Sequence, residues 1–310
     1  MTDASIRIAV MIPCFNEAAA IGKVVADFRQ VLPMADIYVY DNNSSDDTVA
    51  IAREAGAQVR SERHQGKGHV VRRMFADIEA EIYLLVDGDA TYDAASAPAM
   101  IEKLIGDHLD MVVAHREDQV DAAYRMGHRA GNMLLTKFLA NIFGRGFEDI
   151  LSGYRVFSRR FIKSMPVLSD GFEIETELSV HALELSMPVA EIKTPYFARL
   201  PGSVSKLNTW RDGFRILGTI LKLYRTEKPL RFFTTIAITL ASTSVILSIP
   251  LAITFIEQGV VPRLPTAVLS VGIMLVAVMS LFAGLGLDTV SRGRREAKLM
   301  RYLSEPWLSR

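Results

Sequence analysis

Short apolar runs and amphipathic stretches alternate along residues 6–114. Runs rich in β-branched and aromatic residues at 6–12, 37–40, 58–61, 82–86 and 111–114 predict strands. Stretches with apolar positions every three to four residues at 17–32, 46–55, 68–78 and 97–105 predict helices. Strands separated by whole helices cannot close as hairpins. The pattern therefore predicts an α/β domain on a mainly parallel sheet flanked by helices. Farther along it changes character. Residues 232–256 and 264–287 contain no charged side chain. Each stretch exceeds the ~20 apolar residues with which a helix crosses a hydrocarbon core. The intervening Glu257-Gln258-Gly259-Val260-Val261-Pro262-Arg263 reads as a short polar turn, so the pair predicts a transmembrane hairpin.

Upstream of the hairpin, Trp210, Phe214, Leu217, Ile220, Leu221 and Tyr224 recur at helical spacing, with Arg211, Arg215, Lys222 and Arg225 among them. A basic amphipathic helix beside a membrane span lies in the interface; ordinary packing on the soluble domain is the alternative. A second apolar stripe at 126–143 (Met133, Leu134, Leu135, Phe138, Leu139, Ile142, Phe143) fits an interfacial helix and a core helix equally. Arg225, Lys228 and Arg231 precede the hairpin, and Arg292, Arg294, Arg295, Lys298 and Arg301 follow it, whereas the turn has only Arg263. By the positive-inside rule both flanks are cytoplasmic. The expected organisation is a cytosolic domain (1–209), a juxtamembrane helix (210–230), the hairpin (231–290) and a basic cytosolic tail (291–310).

Of the 310 residues 50% are hydrophobic, an excess concentrated in the hairpin. Formal net charge is zero. No long-range field draws nucleic acid, and none is expected as a partner. The single Cys14 excludes an intrachain disulfide and, following an apolar strand, reads as a buried structural thiol. Residues 1–3 lack the basic start of a secretory signal, so the N-terminal part is expected in the cytosol.

The predicted strands end in polar loops: Asn16-Glu17, Asp41 to Asp47, Gly66-Lys67-Gly68 and Asp87-Gly88-Asp89. In an open α/β sheet ligands bind beyond the carboxyl ends of the strands. Two carboxylates one residue apart at such an end suit a hard divalent cation, which binds through one or two carboxylates plus substrate phosphates. Alone, Asp87-Gly88-Asp89 could equally be a solvated turn bent by Gly88. Gly66-Lys67-Gly68 is not a P-loop, and no G-x-G-x-x-G fingerprint occurs. Glu17 also suits a first helical turn, and Asp41 and Asp46 suit turn and cap positions. Arg116 and Arg129 read alternatively as solvated charges, and Glu173 and Glu175 as helix-start acids. His115 and His128 show no metal-ligand spacing and are read as non-ligands.

Seven motifs stand in order: Pro13-Cys14-Phe15-Asn16-Glu17, Asp41-Asn42-Asn43-Ser44-Ser45-Asp46, Gly66-Lys67-Gly68, Asp87-Gly88-Asp89, Arg129-Ala130-Gly131-Asn132, Asp149-Ile150-Leu151-Ser152-Gly153-Tyr154-Arg155 and Gly202-Ser203-Val204-Ser205-Lys206. In this the chain resembles the family 2 glycosyltransferases of GT-A fold, and among them the polyprenyl-phosphate (dolichyl-phosphate) hexosyltransferases. The resemblance runs from Ile12 through both apolar stretches. It implies a GT-A, Rossmann-like domain in which Pro13, Phe15, Glu17, Asp41, Lys67 and Gly88 surround the nucleotide. Asp87 would contact the ribose or donor sugar, and Asp89 would ligate Mg²⁺ or Mn²⁺ on the diphosphate. Arg116 and Arg129 would meet the acceptor phosphate or the diphosphate, and Asn132, Arg155, Arg199, Ser205 and Lys206 complete the acceptor and phosphate side. Asn42 departs from the usual acidic pair after Asp41, which bears on base recognition.

The implied reaction is inverting transfer of a hexose or N-acetylhexosamine from a nucleotide sugar, UDP favoured over GDP, to polyprenyl phosphate. The implied setting is the cytosolic face of the plasma (inner) membrane, in an integral membrane homo-oligomer, tetramer or dimer. A phosphate monoester has a second pKa near ~6 and is mostly dianionic at neutral pH, so its oxygen needs no general base. Asp149 would then orient a neighbour. In the alternative, transfer to a glycolipid or polysaccharide hydroxyl, Asp149 is the base. The Q-x-x-R-W motif of processive enzymes is absent. A non-enzymatic sensor would be expected to have lost the Asp87/Asp89 or Asn16-Glu17 pair, and a nucleotidyltransferase to carry a Gly/Arg-rich first loop.

Overall fold

The computed structural model describes residues 6–118, 126–144, 146–203 and 209–308. The chain divides into two compact units, residues 1–220 with 297–310, and residues 221–296.

Among the described residues, seven strands organise the first unit: β1 (Ile8–Cys14), β2 (Asp36–Asp41), β3 (Gln58–Ser61), β4 (Ile82–Leu85), β5 (Met111–Asp118), β6 (Arg155–Ser158) and β7 (Val189–Tyr196). Their order is β3-β2-β1-β4-β6-β5-β7. All neighbours are parallel except at β6, which runs against both β4 and β5. The five predicted strands are present. β5 continues to Asp118, past residue 114, because β7 pairs with it in register from Met111↔Val189 to Asp118↔Tyr196. The pattern had not indicated β6 or β7. β6 is four buried residues opened by an arginine, and β7 is a half-exposed edge containing Pro195, which an edge strand tolerates.

Helices cover the sheet: α1 (Ile21–Val31), α2 (Thr48–Glu54), α3 (Lys67–Asp77), α4 (Ala97–Gly106), α5 (Met126–Phe143), α6 (Arg159–Ser164) and α7 (Ile174–Glu184). α1 buries Ile21, Val24, Val25 and Phe28, the stripe its sequence predicts. Burying Phe28 alone contributes roughly 1.5–3 kcal/mol. The helix begins at Ile21 and not at Glu17, because Asn16 takes a φ of 52° and Ala20 N donates to Glu17 O at 2.9 Å in a turn. Glu17 thus stays in the loop. In α5, Leu139 and Ile142 are buried, which favours core packing at that end. α7 is buried around nearly its whole circumference, so it shows no apolar stripe.

From β1 the chain steps outward through β2 and β3, then returns to place β4 on the other side of β1. This reversal leaves a crevice beyond the carboxyl ends of β1 and β4, where open α/β sheets bind ligands. Cys14↔Asp41 and Met11↔Leu85 pair in register, so the loops after β1, β2 and β4 leave the sheet at one edge.

α8 (Thr209–Glu227) occupies the predicted amphipathic segment, with Ile216 and Ile220 buried. The second unit contains α9 (Pro229–Gln258) and the apolar part of α10 (Leu264–Ser304), both long and apolar enough to cross a membrane. Beyond Pro229 at the start of α9, its buried positions are Ala237, Ser244 and Leu251, and those of α10 are Ser270, Ala277, Gly284 and Ser291. A seven-residue recurrence of mostly small residues gives a narrow helix seam. Ser244 Oγ donates across it to Ser270 O at 2.7 Å, and a Cβ on Gly284 would lie 2.9 Å from Phe233 Cβ. Ile238, Ile246, Ile249, Val271, Leu275 and Phe282 point outward.

The segment expected as a basic tail differs. Residues 291–304 continue α10, and from Ala297 the chain belongs to the first unit. Lys298 Nζ reaches Glu184 at 2.8 Å, Tyr302 OH donates to Asp110 Oδ2 at 2.8 Å, and Trp307 Nε1 donates to Leu109 O at 2.9 Å. Its positive charges mark membrane orientation in the sequence, yet one of them, Lys298, docks on the buried carboxylate of Glu184.

Candidate active site

A cavity of about 840 Å³ opens at the crevice. Pro13, Cys14, Phe15 and Glu17 after β1, Lys67 at the start of α3, and Asp87, Gly88 and Asp89 after β4 line it. Glycine is required at two of these approaches. A Cβ on Gly88 would lie 2.5 Å from Cys14 Sγ, and one on Gly66, whose φ is +135°, would strike the Asp170 carbonyl. Gly66 lets α3 begin against residues 169–170, where Gly68 N donates to Asp170 O at 3.0 Å.

Three cation–carboxylate groups set the electrostatics. Lys67 Nζ lies 2.5 Å from both Asp87 Oδ1 and Glu175 Oε1. Burial disfavours its charge, but the two carboxylates outweigh burial and raise its pKa. Burial pushes the Glu175 carboxyl up, and the charge of Asp87 adds to that against the pull of Lys67. In the second group Arg199 Nη2 meets Asp89 Oδ2 at 2.5 Å and Arg199 Nη1 lies 3.6 Å from Glu17 Oε1. Asp89 Oδ1 accepts from Thr91 N and Oγ1 at 3.1 and 2.6 Å, and Ser203 Oγ donates to Glu17 Oε2 at 2.7 Å. Burial, then the charge of Asp87, raises the pKa of Asp89 against the pull of Arg199. In the third group Arg116 Nε and Nη2 donate to Asp149 Oδ2 and Oδ1 at 2.7 and 2.8 Å. Burial opposes the Arg116 charge, but Tyr92 and Asp149 carry its pKa well above the ordinary arginine value. Its guanidinium also lies 5.5 Å from the centre of the Tyr196 ring.

The structure thus brings Pro13, Phe15, Glu17, Lys67, Asp87, Gly88, Asp89, Arg116 and Arg199 to one cavity. Asp41 does not line it; its carboxylate accepts from Ser44 N at 3.2 Å and shapes the loop. Asp149 is 4% exposed and does not line the cavity, whereas Arg116, which its carboxylate holds, does. Arg155 is corrected. It is wholly buried in β6, and its guanidinium donates to Ser152 O, Ile150 O and Ser179 Oγ at 2.9, 2.8 and 3.0 Å, so it braces the core away from the cavity. Ser205 and Lys206 lie outside the described residues, as do the side chains of Arg129 and Asn132 on α5.

Asn42 has a structural reason. Its amide donates to Glu62 O and His64 O at 3.0 and 2.8 Å and accepts from Gly66 N at 2.7 Å, a pattern no carboxylate can satisfy. Tyr92, Asp170, Phe172, Tyr196, Arg215 and Ile216 also line the cavity and carried no motif. Glu173 and Glu175, left open in the sequence, are cavity residues. Asp46 accepts at 3.1 Å from the N–H of Thr48, the first residue of α2, as a cap does, and at 3.1 Å from Ala18 N, so that it also joins two loops. His115 does have carboxylates within reach: its ligand atom and those of Glu148 and Glu191 all lie within 4.8 Å of one another.

Asp89 offers a buried carboxylate oxygen that already faces a cation, the neighbouring carboxylates add oxygen, and burial pushes the pKa of the Cys14 thiol up, away from a thiolate. A set of that kind fits Mg²⁺ or Mn²⁺ and not a thiolate-seeking ion.

Residues 9–165 match the family described as glycosyl transferase family 2. The glycosyltransferase AglJ of Haloferax volcanii is 32% identical over 298 residues, covering 96% of this chain and 98% of its own. The dolichyl-phosphate hexose transferase of the same organism is 26% identical over 221 residues, 71% of this chain and 95% of that one. Among solved structures, glucosyl-3-phosphoglycerate synthase from Mycobacterium tuberculosis in complex with Mn²⁺, UDP and phosphoglyceric acid superposes with a TM-score of 0.59 at 22% identity, covering 71% of this chain and 79% of that chain. That likeness gives the fold, a GT-A sheet. By its sequence match and its relatives, the chain belongs to glycosyl transferase family 2.

Proposed function

We propose that the chain transfers a hexose or N-acetylhexosamine from a UDP-sugar to polyprenyl phosphate, with inversion at the anomeric carbon. The observation that carries this reading is the state of Asp149. Both its oxygens are taken by Arg116, Oδ1 also accepts from Leu151 N at 3.3 Å, and the carboxylate does not line the cavity. A group so engaged is poorly placed to remove a proton from an acceptor hydroxyl. It is well placed to hold a guanidinium at the wall, which suits an acceptor that is already an anion. The relative named a dolichyl-phosphate hexose transferase and the two long apolar helices support a lipid acceptor.

Asp89, with Asp87 beside it, would hold Mg²⁺ or Mn²⁺. The ion supplies Lewis-acid neutralisation of charge developing on the departing diphosphate. The chain's own residues do the remainder. Pro13, Phe15 and Glu17 shape the nucleotide end, as their place on the loop after β1 suggests. Arg116 positions the acceptor phosphate by charge-assisted hydrogen bonds. Arg199, which closes on Asp89 and Glu17, is the cation that a bound diphosphate would recruit from them. Two anionic substrates meet here, so positive groups on both sides are a physical requirement. Arg129, Asn132, Ser205 and Lys206 are proposed to join them.

We place the catalytic unit and both termini on the cytoplasmic side of the plasma (inner) membrane, from the basic flanks of the hairpin, with the chain a dimer or tetramer. The test is incubation of purified protein and polyprenyl phosphate with a panel of UDP- and GDP-sugars and Mg²⁺. Butanol-extractable label is expected with one UDP donor. Transfer only to a hydroxyl acceptor would overturn the reading.

A further inference from the structure

Tyr92 belongs to none of the seven motifs, yet it stands in the cavity wall with Arg116 and Tyr196. Its place is fixed from two sides. Thr91, one residue before it, binds Asp89 Oδ1 through N and Oγ1. Phe197 N donates to Thr91 O at 2.8 Å, which ties this loop to the end of β7. The Tyr92 ring meets that of Tyr196 edge-on at 5.2 Å and that of Tyr154 at 5.4 Å. The Arg116 guanidinium lies 5.5 Å from the centre of the same Tyr196 ring. Tyr196 thus packs against both the phenol and the guanidinium.

The phenolic oxygen accepts from Gly153 N at 2.8 Å. That bond uses a lone pair and leaves the O–H to donate elsewhere. Among the described residues no acceptor takes it, although Tyr92 is 8% exposed. Buried donors are costly to leave unpaired, and native structures seldom do so. The cavity that Tyr92 lines can supply the acceptor. Burial pushes the phenol pKa up, so Tyr92 keeps its proton at neutral pH. The Gly153 N–H polarises the phenol, which strengthens its O–H as a donor. Tyr154 gives the contrast. Its hydroxyl is also buried without a partner, but Tyr154 does not line the cavity, and core packing accounts for it.

The chemistry of the missing acceptor follows from the neighbours. After burial, the Arg116 charge acts most strongly on the Tyr92 phenol, and Asp87 and Asp149 act on it too. Both carboxylates are already held, Asp87 by Lys67 and Asp149 by Arg116. Asp149 takes two of the five Arg116 N–H donors, which leaves three for a ligand. An oxyanion drawn to that guanidinium can accept from the phenol as well. A second cation at this place would be drawn to Asp87 or Asp149. A phenol adds a donor without adding a charge, so the carboxylates do not capture it.

We infer that Tyr92 donates its O–H to a phosphate oxygen held by Arg116, so that a guanidinium and a neutral phenol bind the anion together. The phosphate belongs to the acceptor lipid or to the donor diphosphate. The inference rests on the proposed role of Arg116 and adds the second donor of its site.

The test uses the full chain in detergent with Tyr92→Phe, which deletes the hydroxyl and keeps the ring. Tyr154→Phe makes the same deletion on the ring packed against it. UDP binding with Mg²⁺ is measured by calorimetry without acceptor, and KM for polyprenyl phosphate is measured at saturating donor. Tyr92→Phe loses a hydrogen bond to a charged oxygen, so one of these two arms should weaken about 10- to 100-fold and the other stay within about 2-fold. A raised KM with kcat within about 3-fold assigns the acceptor phosphate, and weakened UDP assigns the diphosphate. Tyr154→Phe should move neither arm. A hydroxyl that only caps Gly153 N predicts equal losses on both arms; that result, or no loss on either, would overturn the inference. Failure of the unmodified protein to label polyprenyl phosphate would instead overturn the proposed acceptor. The UDP arm needs no acceptor and then decides the role of Tyr92 alone, with unchanged binding counting against it.

Discussion

Replacing Asp149 by Asn separates the two chemistries open to this site. The carboxylate grips Arg116 through two charge-assisted bonds at 2.7 and 2.8 Å, with Asp149 4% exposed. Asn keeps one acceptor oxygen and shape but loses the charge and the second bond. Charge-assisted hydrogen bonds contribute about 1.5–3 kcal/mol, so roughly 2 kcal/mol of hold on Arg116 disappears. If that hold serves to position the acceptor phosphate, kcat/KM for polyprenyl phosphate falls about 30-fold, since each 1.36 kcal/mol is a factor of ten. The KM for the nucleotide sugar should stay put, and the acid limb of the pH–rate profile should survive, because no proton is removed by Asp149.

The companion change, Arg116→Gln, leaves a buried carboxylate without its cation. Breaking a buried pair from one side costs roughly 3–5 kcal/mol. The double variant should therefore be more stable than the Arg116→Gln single variant, and its activity no lower. The assay is label transfer at saturating donor across pH, beside thermal unfolding of each variant. Near-complete loss in Asp149→Asn with the acid limb abolished, while Arg116→Gln stays active, would refute the positioning argument and make Asp149 a base.

Asp89→Ala should abolish metal-dependent turnover and metal-dependent UDP binding while retaining the far-UV spectrum, since it removes a carboxylate whose burial already disfavours its charge. Gly88→Ala should cost about 1–3 kcal/mol by forcing a methyl group to 2.5 Å from Cys14 Sγ, and Cys14→Ala in the same chain should recover most of the lost unfolding temperature. His181 is buried, with Ser164 Oγ at 3.1 Å, and burial followed by the charge of Lys298 lowers its pKa from 6.5 to about 3. The unfolded chain takes the proton first, so stability is lost as pH falls below 6.5; linkage gives about 1.4 kcal/mol by roughly pH 5.5. Denaturant titrations at pH 7 and 5.5 should show that loss, and His181→Gln should remove it.

What the sequence made legible follows how far each signal acts along the chain. Strands β1 to β5 and the two apolar helices announce themselves because periodicity and length are local properties. The convergence of the loops after β1 and β4 was legible too, since a parallel sheet sends successive carboxyl ends to one edge. Arg155 shows where motif reading stops. It stands in a run of motif residues, yet β6 turns it into the core, and an antiparallel strand inserted in a parallel sheet has no local signature beyond four residues. Glu175 is the converse case. Nothing within its own helix separates a solvated first-turn acid from a buried one, because the partner that fixes its role, Lys67, lies 108 positions away. The charged tail fails in the same way. Lys298 and Tyr302 look like surface residues until Glu184 and Asp110 are placed beneath them. A charge therefore acquires its function from what the fold sets opposite it, and that pairing is long-range in sequence. Metal-binding and catalytic carboxylates can be proposed from loops, but which of them is held by an arginine, and so removed from proton transfer, is decided only by the assembled sheet.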